Sequence, residues 1–256
     1  MIMMRVSNKA AWVDDPQVPC VKHSPFPKRP FRLVLLGAPG VGKGTQADML
    51  CQELLTCHLS TGEVFRAIKD SSMEKTPAQI EALAYVKRGE LVPDDIVIDM
   101  VRERSDCFVC YYGFILDGFP RTVIQAEALN KMLDEAGVSL DAVINYDVPK
   151  QVIVDRLSGR RMCPNCRTNF HVLYKPPVQP GICDRCGAKL VQREDDRPES
   201  VVVRLEEYRE STAPLTQYYR DRGQLVEISA EGDPQTVFRR TMEMLEQLPH
   251  PVSFRS

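Results

Sequence analysis

The chain has 256 residues, 43% of them hydrophobic and 27% charged, with a formal net charge of −2. This is an ordinary globular composition, long enough for one large domain with insertions or for two smaller ones. The balanced charge, with a pI near 6.1, excludes a global attraction to nucleic acid or to anionic membranes, and no apolar run reaches the ~18–20 residues of a membrane span.

Residues 1–30 hold no apolar core of signal-peptide length, and Asp14 and Asp15 speak against a transit peptide. They read as a polar, proline-spaced, disordered extension in which Trp12 has no evident partner. The first apolar run, 33–36, leads into GAPGVGKGT (37–45) and then into a helical pattern with Ala47, Leu50 and Leu54 on one face. A second run, CHLS (57–60), precedes a stretch at 60–92 that reads as a helical hairpin. Further apolar runs follow at 114–116, 142–148 and 224–229. Between the last two, PKQVIVDRLSG (149–159) has Pro149 at a helix start and Gly159 at a helix stop. Near-continuous apolar runs alternating with helices predict an α/β fold, a doubly wound five-stranded parallel sheet covered on both faces. Residues 60–92 and 159–196 fit that sheet poorly and read as insertions. Ligands in such sheets sit at the carboxyl ends of the strands, so insertions there overhang the site.

A glycine-rich loop between a strand and a helix is a phosphate site. Small residues let backbone N–H groups wrap the phosphate oxygens, and the helix N-terminus adds positive potential. Lys43 can reach the terminal phosphates, and Thr45 can hold a phosphate or its magnesium. A strict P-loop places Ser or Thr directly after the lysine, whereas here Gly44 intervenes. Asp117, at the end of the third apolar run, can orient magnesium through water.

The nine cysteines are an odd number in a chain that is not small, which argues against a secreted disulfide scaffold and for a reducing, cytoplasmic setting. Cys163 and Cys166 form one Cys-x-x-Cys pair and Cys183 and Cys186 another, sixteen residues apart, which is structural zinc spacing. Four thiolates leave no open position, so the ion would staple a small insertion and take no part in chemistry. Two disulfides or four idle thiols are the alternatives. Cys107 and Cys110 lack a second pair and read as functionless thiols, and His58 and His171 read as packed or surface side chains rather than ligands.

In this order, the blocks GAPGVGKGT (37–45), STGEVFR (60–66), GELVPD (89–94), DGFPRTVIQA (117–126), VDRLSGRR (154–161), REDDRPE (193–199) and VVRLEEY (202–208) resemble the adenylate kinase family over roughly residues 31–250. The cysteine-bearing insertion resembles its long-lid, zinc-containing variety. The resemblance implies a core at 31–59, 93–158 and 197–250, an AMP-binding arm at 60–92, a zinc lid at 159–196 and a tail at 251–256. It implies ATP + AMP ⇌ 2 ADP with Mg2+, ATP, AMP and ADP as the only partners, and a monomer. Gly40, Val41, Gly42, Lys43, Gly44 and Thr45 would cradle ATP, Arg156 and Arg160 would reach its phosphates, and Asn169 and Phe170 would flank its base. On the AMP side stand Thr61, Arg66, Glu90, Leu91, Val92, Gly118, Phe119, Pro120, Arg121 and Gln125, with Arg193 and Arg204 closing on the phosphate. Lys43, Asp117, Arg121, Arg160, Arg193 and Arg204 would carry the transfer itself. The chain departs from the family pattern at Glu63, where the family has Asp, around 71–79, where the arm is longer, and at 228–234.

Phosphoryl transfer brings two polyanions together, so catalysis is mostly positioning and charge stabilisation, and arginine's planar fork suits it. Two other readings are a UMP/CMP-type kinase and a nucleotide-binding switch with a zinc-stabilised interaction lid. Thr122, where UMP/CMP kinases usually carry Asn, and Gln125, whose amide can read an adenine edge, favour AMP.

Overall fold

A computed structural model describes residue 27 and residues 29–70, 77–88, 90–166 and 168–249. The extension, with Trp12, therefore lies almost wholly outside the described residues, as do 71–76 in the lengthened arm, Gly89 and the tail at 251–256.

Five parallel strands form the main sheet: β1 (Phe31–Leu36), β2 (Cys57–Ser60), β3 (Gly113–Asp117), β4 (Ala142–Asp147) and, after two short strands described below, β7 (Leu225–Ser229). Their order is β2-β3-β1-β4-β7. The runs of β1, β3, β4 and β7 are apolar without alternation because each feeds two cores, whereas β2 gives Cys57 and Leu59 to one alone. From β1, Val34 and Leu36 point to one face and Leu33 and Leu35 to the other. From β3, Phe114 and Leu116 join the first cluster and Ile115 the second. The chain leaves β1 for β2 on one side and reaches β4 on the other, so the sheet switches direction at the carboxyl end of β1, where doubly wound folds place their ligands.

Helices α1 (Lys43–Leu54), α2 (Thr61–Asp70), α3 (Pro77–Arg88), α4 (Asp94–Arg102) and α5 (Val123–Glu135) precede β4. After it come α6 (Lys150–Gly159), α7 (Pro198–Glu207), α8 (Pro214–Arg220) and α9 (Pro234–Gln247). Residues 60–92 accordingly hold α2 and α3, with Ser60 itself ending β2. α6 starts after Pro149, whose fixed φ suits a helix entry. The second insertion carries an antiparallel pair, β5 (Arg160–Met162) and β6 (Asn169–His171), which the sequence pattern did not reveal. Its own small core contains Cys163, Phe170, Cys183 and Leu190.

Candidate active site

Gly42 caps α1 with φ 111°, and no side chain caps the helix. The first-turn N–H groups are thus left to a ligand. Gly40 has φ +84°, and a Cβ there would stand 2.6 Å from Leu157, so this turn of the loop requires glycine. Val41 is buried, and its N–H closes a turn on Ala38. Lys43 Nζ donates to the carbonyls of Gly37 (2.6 Å) and Ala38 (3.1 Å), folding back over the loop. Burial, opposed by Asp117 and joined by the Arg121, Arg204 and Arg160 cations, brings its pKa down to about 8.

Asp117 ends β3 in register with Leu35, and its Oδ2 is 3.7 Å from where a Cβ on Gly44 would stand. It therefore faces the start of α1. Burial raises its pKa, but the contact with His58 and the charges of Lys43 and Arg121 outweigh that and hold it well below the usual carboxylate range. His58 is buried, with Nε2 3.4 Å from Asp117 Oδ2 and Nδ1 3.3 Å from Asp48 Oδ1. Burial opposes its charge, yet the two carboxylates raise its pKa above the ordinary value. The sequence reading set His58 aside as a packed or surface residue. Its place on β2, two residues before the Ser60 that pairs with Asp117, was the available signal.

Five arginines from separate segments converge on this point. Arg121, whose pKa is lowered by burial, feels Asp117, Asp195, Arg66 and Arg193 together. Arg160 donates from Nε to Asp196 Oδ2 (2.7 Å) and from Nη2 to Oδ1. Arg193 holds Asp195 through two contacts of 2.8 and 2.5 Å. Arg204 reaches Asp195 at 3.1 Å and Asp196 at 3.2 Å. Arg66 pairs with Glu63 at 2.6 Å, so the glutamate that replaces the family's aspartate still meets an arginine. Burial depresses Arg204 to about 10, with Asp195 opposing. Like charges held this close in a buried place define an anion site, and Asp195 and Asp196 supply the anions.

Beside the arginines, Thr61 Oγ1 donates to the Gly118 carbonyl (2.9 Å), as does Arg121 Nε (3.0 Å). A Cβ on Gly118, at φ +85°, would stand 2.7 Å from Thr61 Oγ1. Phe119 is buried in the first core cluster with Val92, and a cis bond joins it to Pro120. Gln125 is buried and hydrogen-bonded to Arg121 and Asp94. Leu91 is partly buried, while the Glu90 carboxylate turns to Arg88 at the surface, at 2.8 and 2.6 Å. Arg156 bridges Val41 O (2.8 Å) and Ala230 O (2.9 Å), tying the phosphate loop to the 228–234 turn. Thr45 is exposed in the first turn of α1. Asn169 lies in β6, and the Phe170 ring is buried in the small core of the second insertion. The structure thus groups Lys43, Asp117, Arg66, Arg121, Arg160, Arg193 and Arg204, sets Arg156 on the other flank of the loop, and leaves the Glu90 carboxylate and the Phe170 ring facing elsewhere.

The sulfurs of Cys163, Cys166, Cys183 and Cys186 lie within 4.8 Å of one another, an arrangement able to hold a metal ion. Cys163 and Cys186 are 3.4 Å apart, Cys166 and Cys183 3.5 Å, and no disulfide links them. Burial opposes ionisation of Cys166, but hydrogen bonding from Thr168 and the neighbouring sulfurs draws it down to about 6.

The family profile described as adenylate kinase matches residues 35–224. An adenylate kinase of Moorella thermoacetica is 53% identical over 199 residues, covering 77% of this chain and 90% of the relative. One from Caldicellulosiruptor bescii is 50% identical over 196 residues, 77% of this chain and 90% of the relative. One from Bacillus subtilis is 46% identical over 215 residues, 84% of this chain and 98% of the relative. With a profile spanning most of its length and relatives of this identity, the chain belongs to the adenylate kinase family.

Proposed function

We propose that this protein reversibly transfers the terminal phosphoryl group of magnesium-bound ATP to AMP, giving two ADP. The observation that carries this reading is the convergence of Arg66, Arg121, Arg160, Arg193 and Arg204 on Lys43 and Asp117 at the mouth of the phosphate loop. A binding switch needs the loop alone. Two phosphate chains meeting head-on need cations on every side. Gly40 to Thr45, with Arg156 and Arg160, hold ATP, and Asn169 and Phe170 flank its base, the Phe170 side chain being engaged within the lid. Thr61, Arg66, Gly118 to Arg121, Gln125 and the 90–92 segment hold AMP, and Arg193 and Arg204 close on its phosphate. No strong general base is required, because the acceptor is already an anion. Residues 60–92 act as the AMP arm and 159–196 as a lid, which excludes water when both nucleotides are bound.

Asp117, ionised and facing the start of α1, and the exposed Thr45 hydroxyl offer the hard oxygen donors magnesium requires. Bound with ATP, magnesium neutralises phosphate charge. The four cysteine sulfurs suit zinc: a tetrahedron with Zn–S of about 2.3 Å has edges of about 3.8 Å, close to the separations observed. We read the ion as structural and the protein as a cytoplasmic monomer acting on small molecules, without nucleic-acid or membrane partners. The near-neutral charge, and the lack of disulfides among the described cysteines, support that setting. No helix among the described residues is long and apolar enough to cross a membrane.

A coupled assay with purified protein, MgATP and a panel of nucleoside monophosphates tests the reaction. AMP should react far faster than UMP, CMP or GMP. Equal rates with UMP or CMP would transfer the reading to a UMP/CMP-type kinase, and ATP binding without turnover on any acceptor would favour a switch.

A further inference from the structure

We propose that Asp94 is a positioning residue that sets base specificity: it fixes the polarity of the Gln125 amide and thereby selects a 6-amino over a 6-oxo purine monophosphate. This rests on the reading of Gln125 as the contact to the acceptor base.

Gln125 is 1% exposed, so its amide depends on protein partners. Its Oε1 accepts the Arg121 N–H at 2.8 Å, and its Nε2 donates to Asp94 Oδ1 at 2.7 Å. The same Asp94 oxygen accepts from Thr122 Oγ1 at 2.9 Å, and that hydroxyl oxygen accepts the Gln125 N–H at 3.2 Å. An amide can in principle be rotated to exchange its oxygen and nitrogen, and only the surrounding network decides which way it lies. Here both neighbours have fixed roles. The Arg121 N–H can only donate, and an ionised carboxylate can only accept. Rotation would set the amide oxygen against the Asp94 carboxylate and the amide nitrogen against the Arg121 N–H. Two buried hydrogen bonds would become two repulsive contacts.

The clamp uses one lone pair of Oε1 and one hydrogen of Nε2, leaving one acceptor and one donor side by side. A 6-amino purine edge offers a donor at N6 and an acceptor at N1, which matches that pair. A 6-oxo purine edge offers an acceptor at O6 and a donor at N1, which would need the rotated amide. Asp94 can therefore decide between the two bases without touching either. Its backbone is set by the first turn of α4, directly after Pro93.

The test compares AMP with inosine monophosphate, which differs from it only along the N1–C6 edge, using kcat/KM and equilibrium binding for each nucleotide. In Asp94→Asn the new amide can face Gln125 with either its oxygen or its nitrogen, so that side no longer opposes rotation and only the Arg121 N–H holds the polarity. The AMP/IMP ratio should fall at least about tenfold, with IMP improving in absolute terms. Asp94→Ser removes the carboxylate by another route and should lower the ratio too. Asp95→Asn removes an equal charge from the same helical turn at an exposed position, and should leave the ratio alone. Folded Asp94 variants with the wild-type ratio would overturn the proposal, as would a uniform loss on both nucleotides or an equal shift in Asp95→Asn. Wild-type protein that phosphorylates pyrimidine monophosphates as well as AMP would instead remove the assignment of Gln125 on which the proposal rests.

Discussion

On the two faces of the parallel sheet, Leu33, Val34, Leu59, Phe114, Ile115, Leu116, Val143 and Ile144 are fully shut from solvent beneath the helices that cover them. The second insertion shuts away Cys163, Phe170, Cys183 and Leu190, and half of that set is cysteine from the cluster able to hold a metal ion. Its outer surface meanwhile exposes Leu173, Tyr174 and Val178. One region is held by apolar burial distributed over many residues, while the other concentrates its order at a single point. The site lies on the boundary: the carboxyl edge of the sheet, with the loop and helix that follow its strands, supplies Asp117, Arg121 and Lys43, and the far end of the second insertion supplies Arg193, Asp195 and Asp196.

If that division is right, a core deletion and a metal deletion should fail differently. Phe114→Ala removes a ring buried in the sheet and in contact with Phe108, and should cost about 3–5 kcal/mol of global stability. Chemical denaturation would show one shifted transition, with metal content unchanged. A loss confined to one subregion would contradict a single cooperative sheet.

The boundary responds chemically more than structurally. Arg160→Ala should lower kcat about a hundred- to a thousandfold, as expected for a lost transition-state contact of ~3–4 kcal/mol. Arg160→Lys should recover only part, because a point charge cannot grip two oxygens as the fork does. Steady-state kinetics beside a thermal melt separates the two losses, and wild-type turnover in Arg160→Ala would remove it from the site.

Replacing both Cys163 and Cys166 by Ser should abolish metal binding and strip hydrogen-exchange protection from 160–192, leaving β1, β3 and β4 protected. The melting temperature would fall by roughly 2–4 °C for each kcal/mol lost. Appreciable turnover should persist well below that temperature. Metal-free protein with a fully protected lid would show that the apolar contacts suffice. A folded but inactive protein would give the ion a direct part in the reaction.

The same contrast explains what could be read in advance. All five main strands were legible, because a strand buried on both faces is a continuous apolar run, and the phosphate loop, Asp117 and each arginine sat in contiguous blocks. β5 and β6 were not, because each is three residues long and is held by neighbours rather than by its own pattern. His58 and Asp94 were missed for a related reason. What singles them out is contact between elements, β2 with α1 and β3 for His58, and α4 with α5 for Asp94. A histidine on an apolar strand and an aspartate opening a helix each have a commonplace structural explanation, which only those contacts displace.

The smallest effect expected is also the most selective test of the boundary. Burial alone would raise the pKa of Asp195, yet Arg193, Arg204 and Arg160 outweigh it and hold the carboxylate far below its ordinary value. A group whose folded pKa lies below its unfolded one adds stability above the unfolded value and loses it as pH falls toward the folded value. For Asp195 the unfolded value is about 4, so the contribution should be complete above about pH 5 and decline steadily below pH 4. Asp195→Asn abolishes this titration. The stability difference between wild type and Asp195→Asn, measured by urea denaturation at a series of pH values, should be on the order of 1–2 kcal/mol at pH 6 and shrink from pH 4 downward. On the proposed reading, nucleotide phosphates take the same arginines as Asp195, so a bisubstrate analogue should narrow the difference at pH 6 as well. A gap that stays constant from pH 6 to pH 3 would mean that the Asp195 charge contributes nothing to holding the lid end against the sheet, and that the arginines are positioned by the backbone alone.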